Sequence, residues 1–469
     1  MTAVALATTL TLAEVLAATG GAPVRGGGEP AFTRVSIDSR TIGPGELFVA
    51  IQGPRFDGHD FVADAAMGGA AAALVHSEVE APARFPLVRV ANTTRGLGDL
   101  ARHVRRRAAV PVVGITGSVG KTTTKDMTAA LLATRGPVLR TEGNLNNEYG
   151  LPLTLLGVNA THTAAVLEMG MSAPGEIQTL SRIAEPDVAV ITRVAPVHLE
   201  FFDSVDAIAT AKAEVLEGVP AAGAAVLNGD DPRLRRIGEG WGGRVVWFGR
   251  DRRFHVSAER WRGTAFGMRF DLRIAGRTAE VALPLAGPHF VESFLAAAGA
   301  AHVLGVDIEA MAEAAAGITA PRHRGEVRRL GESVTLIDDS YNSSPAALEA
   351  SIVALTLAPK GRRVAVVGDM LELGESAEAL HRDSGRALVG RVDAVVGVGP
   401  LAREVLAGAR EAGMAEDALT HFENASGAAA AIGDLVRPGD AVLVKASRGI
   451  RLETVVDALA RRFGDGGAA

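Results

Sequence analysis

The chain contains no cysteine. That excludes disulfides, thiolate nucleophiles, and zinc or iron–sulfur sites built on cysteine. It suits a reducing compartment, and a cytoplasmic location is expected. An excess of positive charge is also lacking: 48 Lys and Arg stand against 54 Asp and Glu, a net charge of −6. Proteins whose main partner is nucleic acid usually carry a basic face, so that class is set aside. No run of about 20 apolar residues lacks a polar interruption, and no membrane span is expected. The N-terminal stretch MTAVALATTLTLAEVLAATGG has no basic start and is broken by Glu14, which argues against a signal peptide. With Thr11 as a cap, LAEVLAATG reads as a short helix ending at glycine. No internal repeat is evident, and the tail GDGGAA is expected to fray.

The 469 residues are 48% hydrophobic and 22% charged, which allows a sizeable core. A chain of this length holds roughly two to four domains. Three α/β segments are expected. Residues 1–91 hold short strands with one or two helices, including VSIDSRTIGPGELFVAI. Residues 92–318 open on a charged helix, LGDLARHVRRR, whose basic end reads as a solvated face. They continue through PVVGIT, TAAVLEMG, DVAVITRV and AAVLNGDD, apolar runs typical of parallel strands covered on both faces. Residues 319–469, with VTLIDDSYNSSP, RRVAVVGDM, DAVVGVG and DAVLVKAS, read as a second, smaller open sheet.

Ligands of such sheets sit at the strands' carboxyl ends, and the polar residues of interest follow those ends. After PVVGIT comes GSVGKTTT, then a run of helix-forming residues. Strand, glycine-rich turn, lysine, hydroxyls and helix make up a triphosphate cradle. Gly117 and Gly120 permit close backbone approach across Ser118 and Val119. Lys121 reaches the β- and γ-phosphates, and Thr122, followed by Thr123, supplies a hydroxyl to Mg²⁺. The commoner loop has a glycine five residues before the Gly-Lys pair, where this chain has Ile115. Glu168 ends the second strand as a candidate Mg²⁺ ligand, since a carboxylate there is costly unless it meets a cation. His198 follows the third strand, and Asp230 and Asp231 follow the fourth. Lys212, on IATAKAEVLEG, reads as a surface lysine on spacing alone. A lysine of depressed pKa can instead take up CO₂ and become an anionic ligand. Arg322 and Arg324 are candidates either for neutralising a transferring phosphoryl group or for salt bridges, and Asp338 and Asp339 for capping a helix or binding a ligand.

Together these strings resemble the Mur ligase family, ATP-dependent amide-bond ligases of peptidoglycan precursor synthesis, over nearly the whole chain. The family's own phosphate loop has this GxxGxxGKT form. TEGNLNNEYGLPLTLL, GDMLELG at 368–374 with His381 beyond it, and IDDSYN at 337–342 point to the member that adds D-alanyl-D-alanine to UDP-N-acetylmuramoyl-tripeptide. The resemblance implies three domains: a small α/β N-terminal domain binding the UDP substrate, a central P-loop ATPase-like parallel sheet, and a Rossmann-like C-terminal domain. It implies ATP with two Mg²⁺ ions. Lys121 and Thr122 serve ATP and its metal, Glu168 holds the first metal, and His198 helps hold the second. Lys212 would be the N6-carboxylysine, a metal ligand; Arg324 contacts the γ-phosphate, and Asp339 and His289 the nucleotide. Asp38, Ser39 and Arg40 lie by the uridine. Asn146 and Asn147 lie near the phosphate loop and tripeptide, and Tyr341 and Asn342 near the dipeptide. A monomer without nucleic-acid partner is expected. The chain departs from the family at Phe290 and Ser293, which replace asparagines beside adenine, and at Ser343 and Ser344 in YNSSP. Rival readings are another amino-acid ligase of the same pathway, a P-loop ATPase or GTPase switch that forms no amide, and a non-catalytic scaffold.

Overall fold

The computed structural model describes residues 3–25, 28–197, 199–331, 334–359 and 361–468. The chain divides into two compact units. The first comprises residues 1–116, 135–190 and 211–225; the second comprises 117–134, 191–210 and 226–469.

The first unit contains a six-stranded sheet in the order Ala3–Thr11, Ala31–Ser36, Glu46–Val49, Ala72–Val75, Leu87–Arg89, Ala22–Arg25. Its inner pairings are parallel and its two outer pairings antiparallel. The expected N-terminal helix is Leu12–Thr19. Thr11 accepts the Glu14 N–H, Glu14 returns a bond to the Thr11 N–H, and Gly20 closes the helix in the left-handed region. This reciprocal cap satisfies donors that the first turn cannot.

The unit also holds strands Val112–Thr116, Ala164–Glu168 and Val138–Arg140, paired in parallel. Every residue of Val112–Thr116 and of Ala164–Glu168 is buried, as the apolar runs require. Helix Thr93–Ala108 buries Leu97, Leu100, Ala101 and Val104, a stripe of helical spacing. Its basic end is the solvated face expected only in part: Arg106 and Arg107 are exposed, while Arg105 is largely covered. Arg105 donates to the Ala184 and Glu185 carbonyls and to Asp187, and Arg102 and Arg106 share the Glu185 carboxylate. Arg105 thereby takes up carbonyls left over at the end of helix Glu176–Ala184.

The second unit holds a seven-stranded sheet in the order Leu419–Phe422, Ala394–Val398, Arg363–Gly368, Ala441–Lys445, Val334–Asp338, Glu326–Leu330, Asp465–Ala468. Its first five strands are parallel and the last two antiparallel. The tail, expected to fray, is therefore an edge strand over Asp465–Ala468. The unit also contains an antiparallel meander, Val256–Thr264, Gly267–Ile274 and Arg277–Leu283, in place of the strand–helix alternation read for this stretch. Met268, Phe270, Leu272 and Ile274 alternate inward, and the turn at Ala275 and Gly276 runs through positive φ. No helix among the described residues is long and apolar enough to cross a membrane.

Candidate functional site: a phosphate loop, a buried carboxylate and an arginine pair

In the second unit, helix Lys121–Leu132 begins at Gly120, whose φ of 85° is left-handed, and no side chain caps it. A helix start of this kind, entered through glycine, suits an anion. Lys121 Nζ donates to the Gly117 carbonyl at 2.8 Å, folded back over the loop. A segment that the sequence did not flag holds the loop in shape. Ser118 N donates to the Arg193 carbonyl at 2.7 Å, and Thr192 Oγ1 to the Val119 carbonyl at 2.6 Å. Ser118 Oγ bonds to the Ala195 carbonyl at 3.0 Å. Asn228 and Asp231 brace this clasp, through the Thr192 carbonyl and the Val194 N–H. Asp231 also caps helix Pro232–Gly240, and Asp230 accepts the Arg250 N–H, so both acids have structural duties. Thr122 and Thr123 are buried.

In the first unit, Glu168 ends its strand in register with Ile115, two residues before Gly117 in the chain. Only 3% of Glu168 is exposed. Its Oε1 accepts the Asn146 amide at 2.7 Å, and its N–H donates to Thr141. Asn146 therefore orients the carboxylate. Asn147 instead accepts the N–H groups of Tyr149 and Gly150, which fixes the entry to helix Gly150–Leu156. Lys212 is 2% exposed, which overturns the surface reading. A buried ammonium is costly unless it is paired or uncharged. In the N-terminal sheet region, Asp38 holds Arg40 through a two-pronged ion pair, beside Ser39 in the same short turn, and the guanidinium stays exposed. His198 lies outside the described residues. Among the described residues no group of three or more His, Asp or Glu could hold a metal ion.

The second unit's C-terminal sheet gathers the remaining candidates. Asp338 is fully buried and receives Ser340 and His323, so it shapes the turn rather than a ligand site. Asp339 accepts Lys445 Nζ at 2.5 Å and Ser351 Oγ at 2.6 Å. Lys445, at the carboxyl end of its strand, also donates to the Asn342 carbonyl. The sequence reading missed it, although its place after AVLV is the strand-end signal used elsewhere. Arg324 lies 3.9 Å above the Tyr341 ring, and Arg448 donates to the Tyr341 hydroxyl at 2.8 Å. Ser344 accepts the Ala347 N–H and caps helix Pro345–Thr356. His381 is buried: its Nε2 accepts the Met370 N–H, and its Nδ1 lies 2.6 Å from the Ala377 carbonyl. It braces the GDMLELG turn.

Phe290 is buried, and Gly325, at φ 74°, sits so close that a Cβ there would lie 2.6 Å from its ring. Phe290 packs against the Gly325 backbone. Ser293 faces Gly120 of the phosphate loop. The His289 Nδ1 is buried without a hydrogen-bond partner. Burial pushes the His289 imidazole down to about 4; Lys445 adds to the fall and Asp339 opposes it. The folded value lies below the ordinary 6.5, so the unfolded chain binds the extra proton between those limits. This stability is full above about pH 6.5 and is lost as pH falls toward 4. Going from pH 7 to 5 is expected to cost up to about 2 kcal/mol through this group. Thermal melts of the protein and of His289→Leu across that range check it: an equal pH slope in both contradicts it.

Comparison with known proteins gives one consistent result. Residues 31–105 match the model "Mur ligase family, catalytic domain", 115–301 the "Mur ligase middle domain", and 323–448 the "Mur ligase, glutamate ligase domain". The chain is similar to the UDP-N-acetylmuramoyl-tripeptide–D-alanyl-D-alanine ligase of Bacillus subtilis (strain 168). The two are 35% identical over 90% of this chain and 92% of that one. The ligase of the same description from Escherichia coli (strain K12) is 35% identical over 92% and 95%. Among solved structures, a crystal structure of MurF from Acinetobacter baumannii superposes with a TM-score of 0.90 and 31% identity, covering 98% of this chain and 100% of that one. MurF ligase from Thermotoga maritima in complex with ADP gives 0.82 and 32%, covering 92% and 97%.

Proposed function

This chain belongs to the Mur ligase family, and on that premise we propose how its residues carry out the reaction. It is an ATP-dependent ligase that joins D-alanyl-D-alanine to UDP-N-acetylmuramoyl-tripeptide, giving the pentapeptide precursor of peptidoglycan. The observation that carries the chemistry is the clasped phosphate loop, with Lys121 folded over Gly117 at an uncapped helix start.

A carboxylate is a poor acyl donor because its oxygen is a poor leaving group. Transfer of the γ-phosphoryl group to a tripeptide carboxylate oxygen gives an acyl phosphate. The dipeptide amine attacks the carbonyl carbon, the carbon–oxygen bond to phosphate breaks, and the amine's surplus proton leaves. Phosphate departs with the former carboxylate oxygen. The protein's task is to position two anions and offset their charge. Lys121 and the backbone of Gly117, Ser118, Val119, Gly120, Thr122 and Thr123 bind the phosphates. Arg324 meets the γ-phosphate, and Asp339 and His289 line the nucleotide. Asp38, Ser39 and Arg40 take the uridine, and Tyr341 and Asn342 the dipeptide. Asn146 acts through Glu168, and Asn147 through the backbone it anchors.

Each proposed donor, taken by itself, is of a kind that Mg²⁺ accepts. Glu168 is a buried oxygen donor fixed by an amide, and Thr122 stands one residue after the loop lysine. Mg²⁺, when bound, offsets phosphate charge. His198 and a carboxylated Lys212 complete a proposed second site; the near-total burial of Lys212 supports a modified or paired state. ¹³C-bicarbonate should give a carbamate signal that is absent from Lys212→Ala. The division 1–91, 92–318 and 319–469 stays part of the proposal, although the first family segment runs on to residue 105. A cytoplasmic monomer completes it.

The route is tested with tripeptide substrate carrying ¹⁸O in its terminal carboxylate. Released phosphate should carry one ¹⁸O. Phosphate free of label would rule out the acyl phosphate.

A further inference from the structure

The two arginines on Tyr341 are unequal in their duties. Most arginines of the second unit, such as Arg250, Arg277, Arg382 and Arg410, meet a carboxylate. Among the described residues, Arg324 and Arg448 meet none. Arg324 stacks on the ring at 3.9 Å, while Arg448 lies 5.0 Å from its centroid and donates to its hydroxyl at 2.8 Å. A single phenol thus holds two uncompensated guanidiniums whose charges repel each other. Such a pair is stabilised when each meets its own anion. The γ-phosphate accounts for Arg324 in the reaction proposed above. Arg448, exposed and meeting no carboxylate among the described residues, is placed to take a second anion.

The surroundings of Arg448 favour a small carboxylate with an apolar neighbour. Arg448 is exposed and opens a short turn, Arg448–Ile450. Beside it, Leu371 of GDMLELG is 43% exposed, unusual for a leucine in an otherwise well-packed unit. Its Cδ1 lies 3.0 Å from where a Gly449 Cβ would stand, so the glycine leaves room for the leucine. Leu371 N is pinned to Ser447 Oγ at 2.9 Å. A guanidinium on Tyr341 and, at the adjoining Gly449, an exposed methyl-bearing side chain are the two groups that a carboxylate with a methyl on its α-carbon would use.

We propose that Arg448, held by the Tyr341 hydroxyl, binds the C-terminal carboxylate of the incoming dipeptide, with Leu371 against its terminal methyl group. This rests on the ligase reading. Arg448 is then a specificity determinant: it selects acceptors with a free carboxyl terminus and leaves the amine at the other end free to attack.

The test compares D-alanyl-D-alanine with D-alanyl-D-alaninamide, which keeps the amine and methyls and lacks the charge. In the unaltered enzyme, the amide should have a kcat/KM about 10- to 100-fold lower, the range for a lost hydrogen bond to a charged group. Arg448→Ala should raise the KM for the free acid by a similar factor and abolish that preference, leaving KM for ATP and the melting temperature unchanged. Arg448→Lys should recover part of the preference. Tyr341→Phe, which keeps the ring and loses the hydroxyl, should raise the dipeptide KM several-fold. Equal losses with acid and amide, or a rise confined to KM for ATP, would overturn the role of Arg448 and leave the ligase reading standing. No dipeptide-dependent turnover by the unaltered enzyme would instead overturn the ligase reading, and this proposal with it.

Discussion

Replacing Lys121 with alanine is expected to lower kcat about 10³-fold, with the fold intact. The lysine opens the loop helix and is only partly buried, so its loss leaves no cavity in the core. Its ammonium lies 2.8 Å from the Gly117 carbonyl, which keeps the charge over the loop before nucleotide arrives. In phosphoryl transfer the protein forms few covalent bonds, so most of its rate advantage comes from fixed positive charge and position. A lysine placed this way acts on the ground state and more strongly on the transition state, where charge moves onto the bridging oxygen. The effect should therefore appear mainly in kcat. Steady-state kinetics with saturating acceptors measure it, alongside a thermal melt. A kcat within about threefold of the unaltered enzyme would remove Lys121 from the phosphates.

Gly117→Ala should be nearly as damaging, by a different route. Gly117 has φ 150°, and a Cβ there would stand 1.9 Å from Thr192 Oγ1. Both partners are fixed, because Thr192 Oγ1 is already donating to the Val119 carbonyl. The loop must shift to accept the methyl, and the Ser118 and Val119 bonds to the 192–195 clasp shift with it. A displacement of about 1 Å at a phosphate cradle costs on the order of 100-fold in kcat/KM for ATP. The same change at Gly276, where nothing lies within 4 Å, serves as a control for strain from positive φ alone. Nucleotide binding measured by titration calorimetry distinguishes the two. Equal, small effects at both positions would contradict the claim that the clasp sets the loop.

Much of this site was legible in the sequence because each signal is local. GSVGKTTT after an apolar strand needs only chain order to be a phosphate loop, and Glu168 needs only its place at a strand end. The Thr11 cap and Gly20 stop were legible for the same reason. What escaped depends on partners distant in sequence. The 192–195 clasp acts largely through backbone groups, which composition cannot reveal. Lys445 gains meaning only opposite Asp339, 106 residues away in the chain. That Phe290 packs against Gly325, 35 residues on in the chain, could not be read from the sequence. The meander was missed although Met268, Phe270, Leu272 and Ile274 alternate, because neighbouring strand–helix units set the expectation. Arg105 read as solvated because its carbonyl partners belong to the end of another helix.

The measurement that bears most directly on the account is phosphate release from ATP and Mg²⁺ with the two acceptors varied. Three mixtures suffice: UDP-N-acetylmuramoyl-tripeptide alone, D-alanyl-D-alanine alone, and both together. Sustained release is expected only with both, matched mole for mole by a product heavier by the dipeptide less water. Release at the same rate in all three mixtures, with no heavier product, would contradict it and leave a nucleotide hydrolase in its place.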